Sequence, residues 1–143
     1  MTEEVYPVEL IAPDIEPYRK SNIGIEFVTS FDSGKPGPHV MINAVTHGNE
    51  ICGAIALDYL FKVNVRPAQG KLTLGFINHL AYSNFDPKNP GSSRFVDEDF
   101  NRVWVEDRLE GLEITAELRR ARELRPVFDS VDLLLDIHSM GTY

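Results

Sequence analysis

The chain has 143 residues, of which 43% are hydrophobic and 25% are charged, and its formal net charge is −8 at pH 7. This composition is typical of a globular domain and excludes an intrinsically disordered chain. The excess of acidic residues and the absence of a basic stripe argue against nucleic-acid binding as its function. The single Cys52 excludes an internal disulfide and a cysteine-rich zinc site.

Strand and helix patterns alternate along the chain. After an extended arm or edge strand at residues 1–21, the pattern predicts strands at residues 23–31, 39–45, 71–78 and 131–137, and helices at residues 50–63 and 115–130. The polar face of the second helix is expected to face solvent, with Arg119, Arg120, Arg122 and Glu123.

These elements predict how the strands pair. A turn rich in Gly and Pro, at residues 32–38, predicts that the first two strands form a hairpin. The helix between the second and third strands predicts that these two run parallel. The last strand, V-D-L-L-L-D-I, has the pattern of a buried strand. We therefore predict a single domain over residues 1–143, with an α/β fold and a mixed, largely parallel sheet flanked by helices.

The stretch Thr46-His47-Gly48-Asn49-Glu50 joins the second predicted strand to the first predicted helix. At such a turn, a spacing of three lets the His47 imidazole and the Glu50 carboxylate approach one point, as two ligands of a zinc site do. His138 follows the last predicted strand and offers a third ligand at the same edge of the sheet. Each residue also has a structural role that needs no metal. His47 would then only belong to the turn, Glu50 would be favoured at the start of the helix by the helix dipole, and His138 would be a buried core residue. Two histidines and one carboxylate also suit Fe(II).

Further polar residues accompany this triad. In a strand, Asp136 shares a face with His138, so it either orients that imidazole through a hydrogen bond or pairs with an arginine. Arg94, Asn101 and Arg102 suit carboxylate recognition and oxyanion stabilisation. Alternatively, the arginines pair with nearby acidic residues, namely Asp97, Glu98, Asp99 or Glu106.

Three motifs therefore occur in order: His47-Gly48-Asn49-Glu50, then R-F-V-D-E-D-F-N-R from Arg94 to Arg102, then Asp136-Ile137-His138. Over residues 40–139 the sequence resembles the succinylglutamate desuccinylase/aspartoacylase family, which belongs to the zinc carboxypeptidase-like superfamily. Phe100 stands where relatives often have Leu, which is a conservative change. Three motifs in the right order make the resemblance specific.

The resemblance implies a Zn²⁺ site with the ligands His47, Glu50 and His138. It implies that Arg94 polarises the scissile carbonyl and that Asn101 and Arg102 hold a substrate carboxylate. The implied reaction is zinc-dependent hydrolysis of the amide or ester bond of a small N-acyl amino acid, such as an N-acylated aspartate or glutamate, by metal-activated water.

Members of the family use a glutamate well after the third ligand as the general base, and this sequence has no glutamate after His138. We therefore expect an amino-terminal portion of such a domain, with a zinc carboxypeptidase-like sheet that is incomplete on its carboxyl-terminal side. The alternatives are a carboxypeptidase-like peptidase and a non-catalytic zinc- or carboxylate-binding module, the latter because the glutamate is absent.

The surroundings of the protein are also predicted. The amino terminus lacks the positive start and long apolar core of a signal peptide, and no apolar run is long enough to span a bilayer. We therefore expect a cytoplasmic protein with no membrane partner, acting on a small carboxylate-bearing molecule. An incomplete sheet leaves an unpaired edge, which predicts a homo-oligomer.

Overall fold

The computed structural model describes residues 7–140, so part of the predicted amino-terminal arm lies outside the described residues. The described part of the arm contains a short 3-10 helix, Glu16–Tyr18, and no strand. Within residues 7–140, no helix has the length and apolar character needed to cross a membrane. The main elements follow in the order β1 (Val28–Asp32), β2 (His39–Ala44), α1 (Ile51–Lys62), β3 (Lys71–Phe76), α2 (His79–Tyr82), α3 (Glu106–Leu109), α4 (Ala116–Ser130) and β4 (Leu133–Asp136).

The strands form one mixed sheet in the order β1-β3-β2-β4. β2 runs parallel to both β3 and β4, whereas β1 runs antiparallel to β3. The predicted hairpin of β1 and β2 is therefore wrong, because β3 lies between them. The crossover through α1 returns the chain directly beside β2, so that β1 is left to pair with the outer side of β3.

The first strand begins at Val28 rather than at residue 23. Gly24 and Phe27 have positive φ values of 81° and 61°, so the backbone turns where the residue pattern predicts extension. Ser21 holds this turn against the strand, since its Oγ donates to Val28 O at 2.6 Å. The β-forming side chains of this stretch therefore do not extend the strand.

Two hydrophobic clusters cover the two faces of the sheet. Alternate residues of a strand point to opposite faces, so Met41 of β2 packs with α4 whereas Ala44 packs with α1. The fully buried side chains include Leu57 of α1 and Leu124 of α4. The prediction of a mixed, largely parallel sheet flanked by helices is confirmed.

The polar face of α4 is only partly solvated. Arg120 is 5% exposed, and its guanidinium donates to Phe76 O at 3.0 Å, Ile77 O at 2.8 Å and Glu26 O at 2.8 Å. The expectation that this residue faces solvent is wrong, because carbonyl groups at the end of β3 need donors and α4 supplies them.

β4 is more exposed than its sequence predicts. Leu133, Leu134 and Leu135 are 61%, 42% and 54% exposed. Within residues 7–140, β4 lies at the edge of the sheet and pairs with β2 alone. The prediction of a buried strand is therefore wrong for the described chain, since an apolar run gives the same pattern in a central strand and in an edge strand.

Candidate metal centre

The turn after β2 brings His47 and Glu50 together. Val45 has a φ of 52°, which β-branched residues rarely adopt, and it redirects the chain at the end of β2. Glu50 N donates to His47 O at 3.1 Å and closes the turn before α1. A Cβ atom on Gly48 would lie only 2.5 Å from Ala81 C, so this turn requires glycine.

Three side chains converge at the carboxyl edge of the parallel strands. His47 Nδ1 lies 2.9 Å from Glu50 Oε1, and His138 Nδ1 lies 2.8 Å from Glu50 Oε2. One ligand atom from each residue lies within 4.8 Å of the others. His47 and Glu50 are 2% and 6% exposed, whereas the His138 side chain is 31% exposed. The structure therefore brings together, from two distant segments, three side chains of types that can bind a metal ion.

The outer nitrogen of each imidazole faces a second carboxylate. His47 Nε2 lies 3.0 Å from Asp99 Oδ1, and His138 Nε2 lies 2.8 Å from Asp136 Oδ2. Both nitrogens of each imidazole thus face a carboxylate, and the tautomer decides which of the two donates. Each ring is therefore oriented with Nδ1 towards Glu50.

The sequence pattern predicts the contact of Asp136 with His138 but misses Asp99 as the partner of His47. These two residues are 52 positions apart. Asp99 also lies among three consecutive acidic residues, and any of them is a plausible partner for an arginine. Asp99 could have been identified from its position, because it lies inside the stretch from Arg94 to Arg102 that supplies the other polar residues near the centre.

These contacts shift two pKa values. Burial alone would lower the pKa of His138, but hydrogen bonds with Asp136 and Glu50 raise it above its ordinary value. Burial alone would raise the pKa of Asp99, but the hydrogen bonds from His47 and from Asn101 N, together with the charge of Arg94, lower it. Metal binding at His138 would therefore compete with a proton that the two carboxylates favour, while Asp99 stays charged at neutral pH.

Arg94 also reaches the centre. Its Nη1 lies 3.4 Å from Glu50 Oε1, and its Nη2 lies 3.4 Å from Asp99 Oδ2. The alternative of pairing with an acidic neighbour is thus present, but the same guanidinium also faces Glu50. The Arg94 side chain is 41% exposed, so it borders both the centre and solvent.

Asn101 and Arg102 lie on a short 3-10 helix, Phe100–Arg102, and both are exposed. Asn101 lines a cavity of about 250 Å³ together with Asn43, Trp104 and Asp136. Asn43 is 2% exposed, and its Oδ1 has no hydrogen-bond partner among the described residues. Asn101 therefore borders a cavity that also reaches Asp136, the residue whose carboxylate contacts His138.

The other two histidines of the chain, His39 and His79, lie apart from the centre. His39 begins β2, at the end opposite to His47, and its Nε2 lies 2.6 Å from Thr73 Oγ1. The His79 ring packs on Phe27, with ring centroids 4.5 Å apart. Burial, with the nearby charges of two arginines, lowers the pKa of His79 to about 4.

Comparison with known proteins identifies the family of this chain. A model of the succinylglutamate desuccinylase/aspartoacylase catalytic domain matches residues 36–142. The chain belongs to the succinylglutamate desuccinylase/aspartoacylase family. The match includes every residue of the centre described above, and it confirms the resemblance inferred from the three motifs. No curated protein matches the sequence.

Solved structures from this family share the fold. An aspartoacylase family protein from Mesorhizobium loti is 26% identical with a TM-score of 0.62, and the match covers 80% of this chain and 34% of that chain. A mutant of murine aminoacylase 3 is 25% identical with a TM-score of 0.55, and the match covers 73% of this chain and 35% of that chain.

A third relative is the succinylglutamate desuccinylase from Chromobacterium violaceum, which supports the fold alone. It is 18% identical with a TM-score of 0.61, and the match covers 79% of this chain and 36% of that chain. Across these three structures of the succinylglutamate desuccinylase/aspartoacylase fold, the chain spans 34–36% of the length of the relative.

Proposed function

We propose that His47, Glu50 and His138 bind zinc and that the protein is a zinc-dependent hydrolase of small N-acyl amino acids. The observation that carries this proposal is the convergence of the three side chains within 4.8 Å. Family membership supports it, and relatives carry the names succinylglutamate desuccinylase and aminoacylase. The proposed substrate is an amide or ester of an aspartate- or glutamate-type compound.

The donor set fits zinc. Two imidazoles and one carboxylate are the protein ligands of many catalytic zinc sites, which keep a further position open for water or substrate. Zinc held by these residues would supply Lewis-acid chemistry, polarising a carbonyl and making water a stronger nucleophile at neutral pH. The buried His47 and Glu50 would exclude bulk water from one side, whereas the more exposed His138 leaves access from the other.

The surrounding residues have separate tasks in this proposal. Asp99 and Asp136 face Nε2 of the two imidazoles, so that with a metal bound they would accept from Nε2 and leave Nδ1 to the metal. The Arg94 guanidinium lies next to Glu50 and stabilises negative charge that develops on the scissile carbonyl oxygen. Asn101 and Arg102 bind a carboxylate of the substrate, because a guanidinium matches a carboxylate with two hydrogen bonds.

Replacing Asp99 by asparagine should weaken zinc binding by about 10- to 100-fold, the usual effect of losing an outer hydrogen-bond partner of a ligand histidine. The amide keeps the shape of the side chain but loses its charge, and in one orientation it presents donors to His47 Nε2. Competition with a chelator of known affinity measures the change. Asp86→Asn is the matched control, since Asp86 is exposed and its carboxylate accepts from Lys88 N alone among the described residues. Equal zinc affinity in the wild type and the Asp99 variant would contradict the proposed role.

Replacing Arg102 by alanine should weaken binding of N-succinyl-L-glutamate by about 10-fold or more, since a hydrogen-bonded charge pair contributes about 1.5–3 kcal/mol. Binding of an analogue in which the amino-acid carboxylates are amides should change little. Calorimetry on the zinc-loaded protein measures both, with Arg119→Ala as the control at an exposed arginine of α4. Equal losses for the two ligands would rule out carboxylate recognition by Arg102.

The reaction itself is tested by mixing the zinc-loaded protein with N-succinyl-L-glutamate, N-acetyl-L-aspartate and an N-blocked dipeptide. We expect the free acyl acid to appear from the acyl amino acids, and a chelator to stop its release. Preferential cleavage of the dipeptide would favour the peptidase instead. Because no glutamate follows His138 in this sequence, zinc-dependent binding without hydrolysis would favour the binding module only if a longer protein that includes the rest of the domain is also inactive.

A further inference from the structure

Glu117 is a buried carboxylate to which the proposed function gives no role. It is the second residue of α4 and is 0% exposed. An ionised carboxylate without water is costly unless other donors replace its hydration. The identity of those donors therefore indicates what this residue holds in place.

Four N–H donors surround the Glu117 carboxylate. Oε1 accepts from Val96 N at 2.6 Å and from Asn78 Nδ2 at 3.1 Å. Oε2 accepts from Asp97 N at 3.1 Å and from Glu98 N at 3.3 Å. Three consecutive backbone amides thus point at one side chain, and this geometry fixes the conformation of residues 96–98.

The same segment contacts the start of α4 in return. Asp97 Oδ2 accepts from Ala116 N at 2.6 Å, and Glu98 Oε1 accepts from Thr115 Oγ1 at 2.7 Å. Side chains of the segment therefore satisfy donors at the first turn of α4, while Glu117 satisfies the backbone of the segment. Such reciprocal contacts resemble a capping box that joins two parts of the chain.

The position of α4 is itself fixed relative to the sheet. One turn after Glu117, Arg120 donates to Phe76 O and Ile77 O at the end of β3. Asn78, which donates to Glu117, also donates its backbone N–H to Val45 O at 3.0 Å, beside the end of β2. Glu117 therefore links residues 96–98 to the sheet edge that carries the metal centre.

Residues 96–98 lie between two residues of the centre. On one side, Arg94 faces Glu50, and its backbone oxygen accepts from Gly48 N at 3.0 Å. On the other side, Asp99 contacts His47 Nε2 at 3.0 Å. A shift of the segment between them would move the Asp99 carboxylate and the Arg94 guanidinium together.

We propose that Glu117 is a positioning residue for the metal centre. Its carboxylate holds the backbone of residues 96–98 and thereby orients Asp99 towards His47 and Arg94 towards Glu50. This inference rests on the proposed function for its catalytic meaning, but the contacts it invokes exist without substrate. Glu117 acts through the segment and does not touch the reacting atoms.

Glu117→Gln tests the proposal, because it keeps the size of the side chain and replaces one acceptor oxygen by a donor group. In either orientation of the amide, its NH₂ group faces two N–H donors. We expect amide hydrogen exchange at Val96, Asp97 and Glu98 to accelerate by about 10- to 100-fold, as for loss of hydrogen bonds to a charged acceptor. We also expect the ring resonances of His47, which report its contact with Asp99, to shift or broaden in the zinc-free protein.

Glu117→Asp is the second variant, and it guards against a general loss of folding in the first. Aspartate keeps the negative charge at the start of α4 but is one methylene shorter, so it does not reach all three amides. We expect intact exchange protection at Leu74 in the core, with faster exchange at residues 96–98. Glu106→Gln, at a side chain that is 76% exposed, is the control for charge. Leu57→Ala, at a buried residue of α1, is the control for stability.

Selective loss of the signals from residues 96–98 and His47, with the core protected, supports the positioning role. Unchanged signals in a folded Glu117→Gln protein overturn it. Equal acceleration at all amides in both Glu117 variants also overturns it, because Glu117 would then serve only global stability. The measurement needs neither zinc nor hydrolysis. A failure of the proposed function would therefore not change its result, and a failure of the positioning role would not decide whether the protein binds zinc or hydrolyses a substrate.

Discussion

We expect the replacement of His138 by alanine to abolish the stoichiometric zinc binding that we propose for the wild type. The change leaves only His47 and Glu50 of the three converging ligands. Losing an outer hydrogen-bond partner of a ligand lowers metal affinity by about 10- to 100-fold. The loss of zinc affinity here should be larger, because a proposed direct ligand is removed. Elemental analysis after equilibration with limiting zinc measures the bound metal per chain, and we expect about one in the wild type and close to none in the variant, given three protein ligands at a typical catalytic zinc site.

The matched control for this experiment is His39→Gln. His39 lies at the opposite end of β2, where its Nε2 contacts Thr73 Oγ1. The His39→Gln protein should retain its full zinc content. This result would show that zinc is lost because a ligand is removed and not because any histidine is removed. Full zinc content in the His138 variant would mean that the third ligand is another residue, and the proposed centre would then be wrong.

Replacing Phe76 by alanine should lower the free energy of unfolding by about 3–5 kcal/mol, the usual cost of truncating a buried phenylalanine. Phe76 is fully buried at the end of β3. Its ring stacks with Tyr18 at a centroid distance of 5.7 Å and with Phe61 at 6.2 Å. A whole domain is stable by only about 5–15 kcal/mol, so this change removes much of the total.

Urea unfolding followed by circular dichroism measures that loss. Leu112→Ala is the control, since Leu112 is 98% exposed and its truncation should change stability by less than about 0.5 kcal/mol. A loss below about 1 kcal/mol for Phe76→Ala would mean that the surrounding rings refill the space. The aromatic cluster would then be less tightly packed than these distances indicate.

The part of the fold that local sequence determines was predictable. The β2-α1-β3 unit follows from a strand, a helix with regularly spaced apolar residues and a second strand. Its handedness and parallel pairing follow from the geometry of crossovers. His47 and Glu50 lie within this unit, and the common edge of parallel strands brings His138 to them. Motif spacing and topology were therefore sufficient to predict the convergence of these three residues.

The features that depend on distant partners were not predictable from local patterns. The turn between β1 and β2 has the composition of a hairpin, but the identity of the strand beside β1 is set by the crossover. Arg120 has the sequence pattern of an exposed helix face, yet it is buried because backbone carbonyl groups of other segments need hydrogen-bond donors. Asp99 was missed for a similar reason, since its partner lies on another element.

The exposed position of β4 links metal binding to the docking of this strand on the sheet. His138 follows the outermost strand, whereas His47 and Glu50 lie at the end of an inner strand. Edge strands with few buried contacts open more readily than central ones. A ligand that binds only the closed arrangement stabilises it by about 2.7 kcal/mol at 100 times its dissociation constant. The supply of zinc would therefore determine how often the outer strand is docked, and a shortage of metal would loosen that edge before the rest of the sheet.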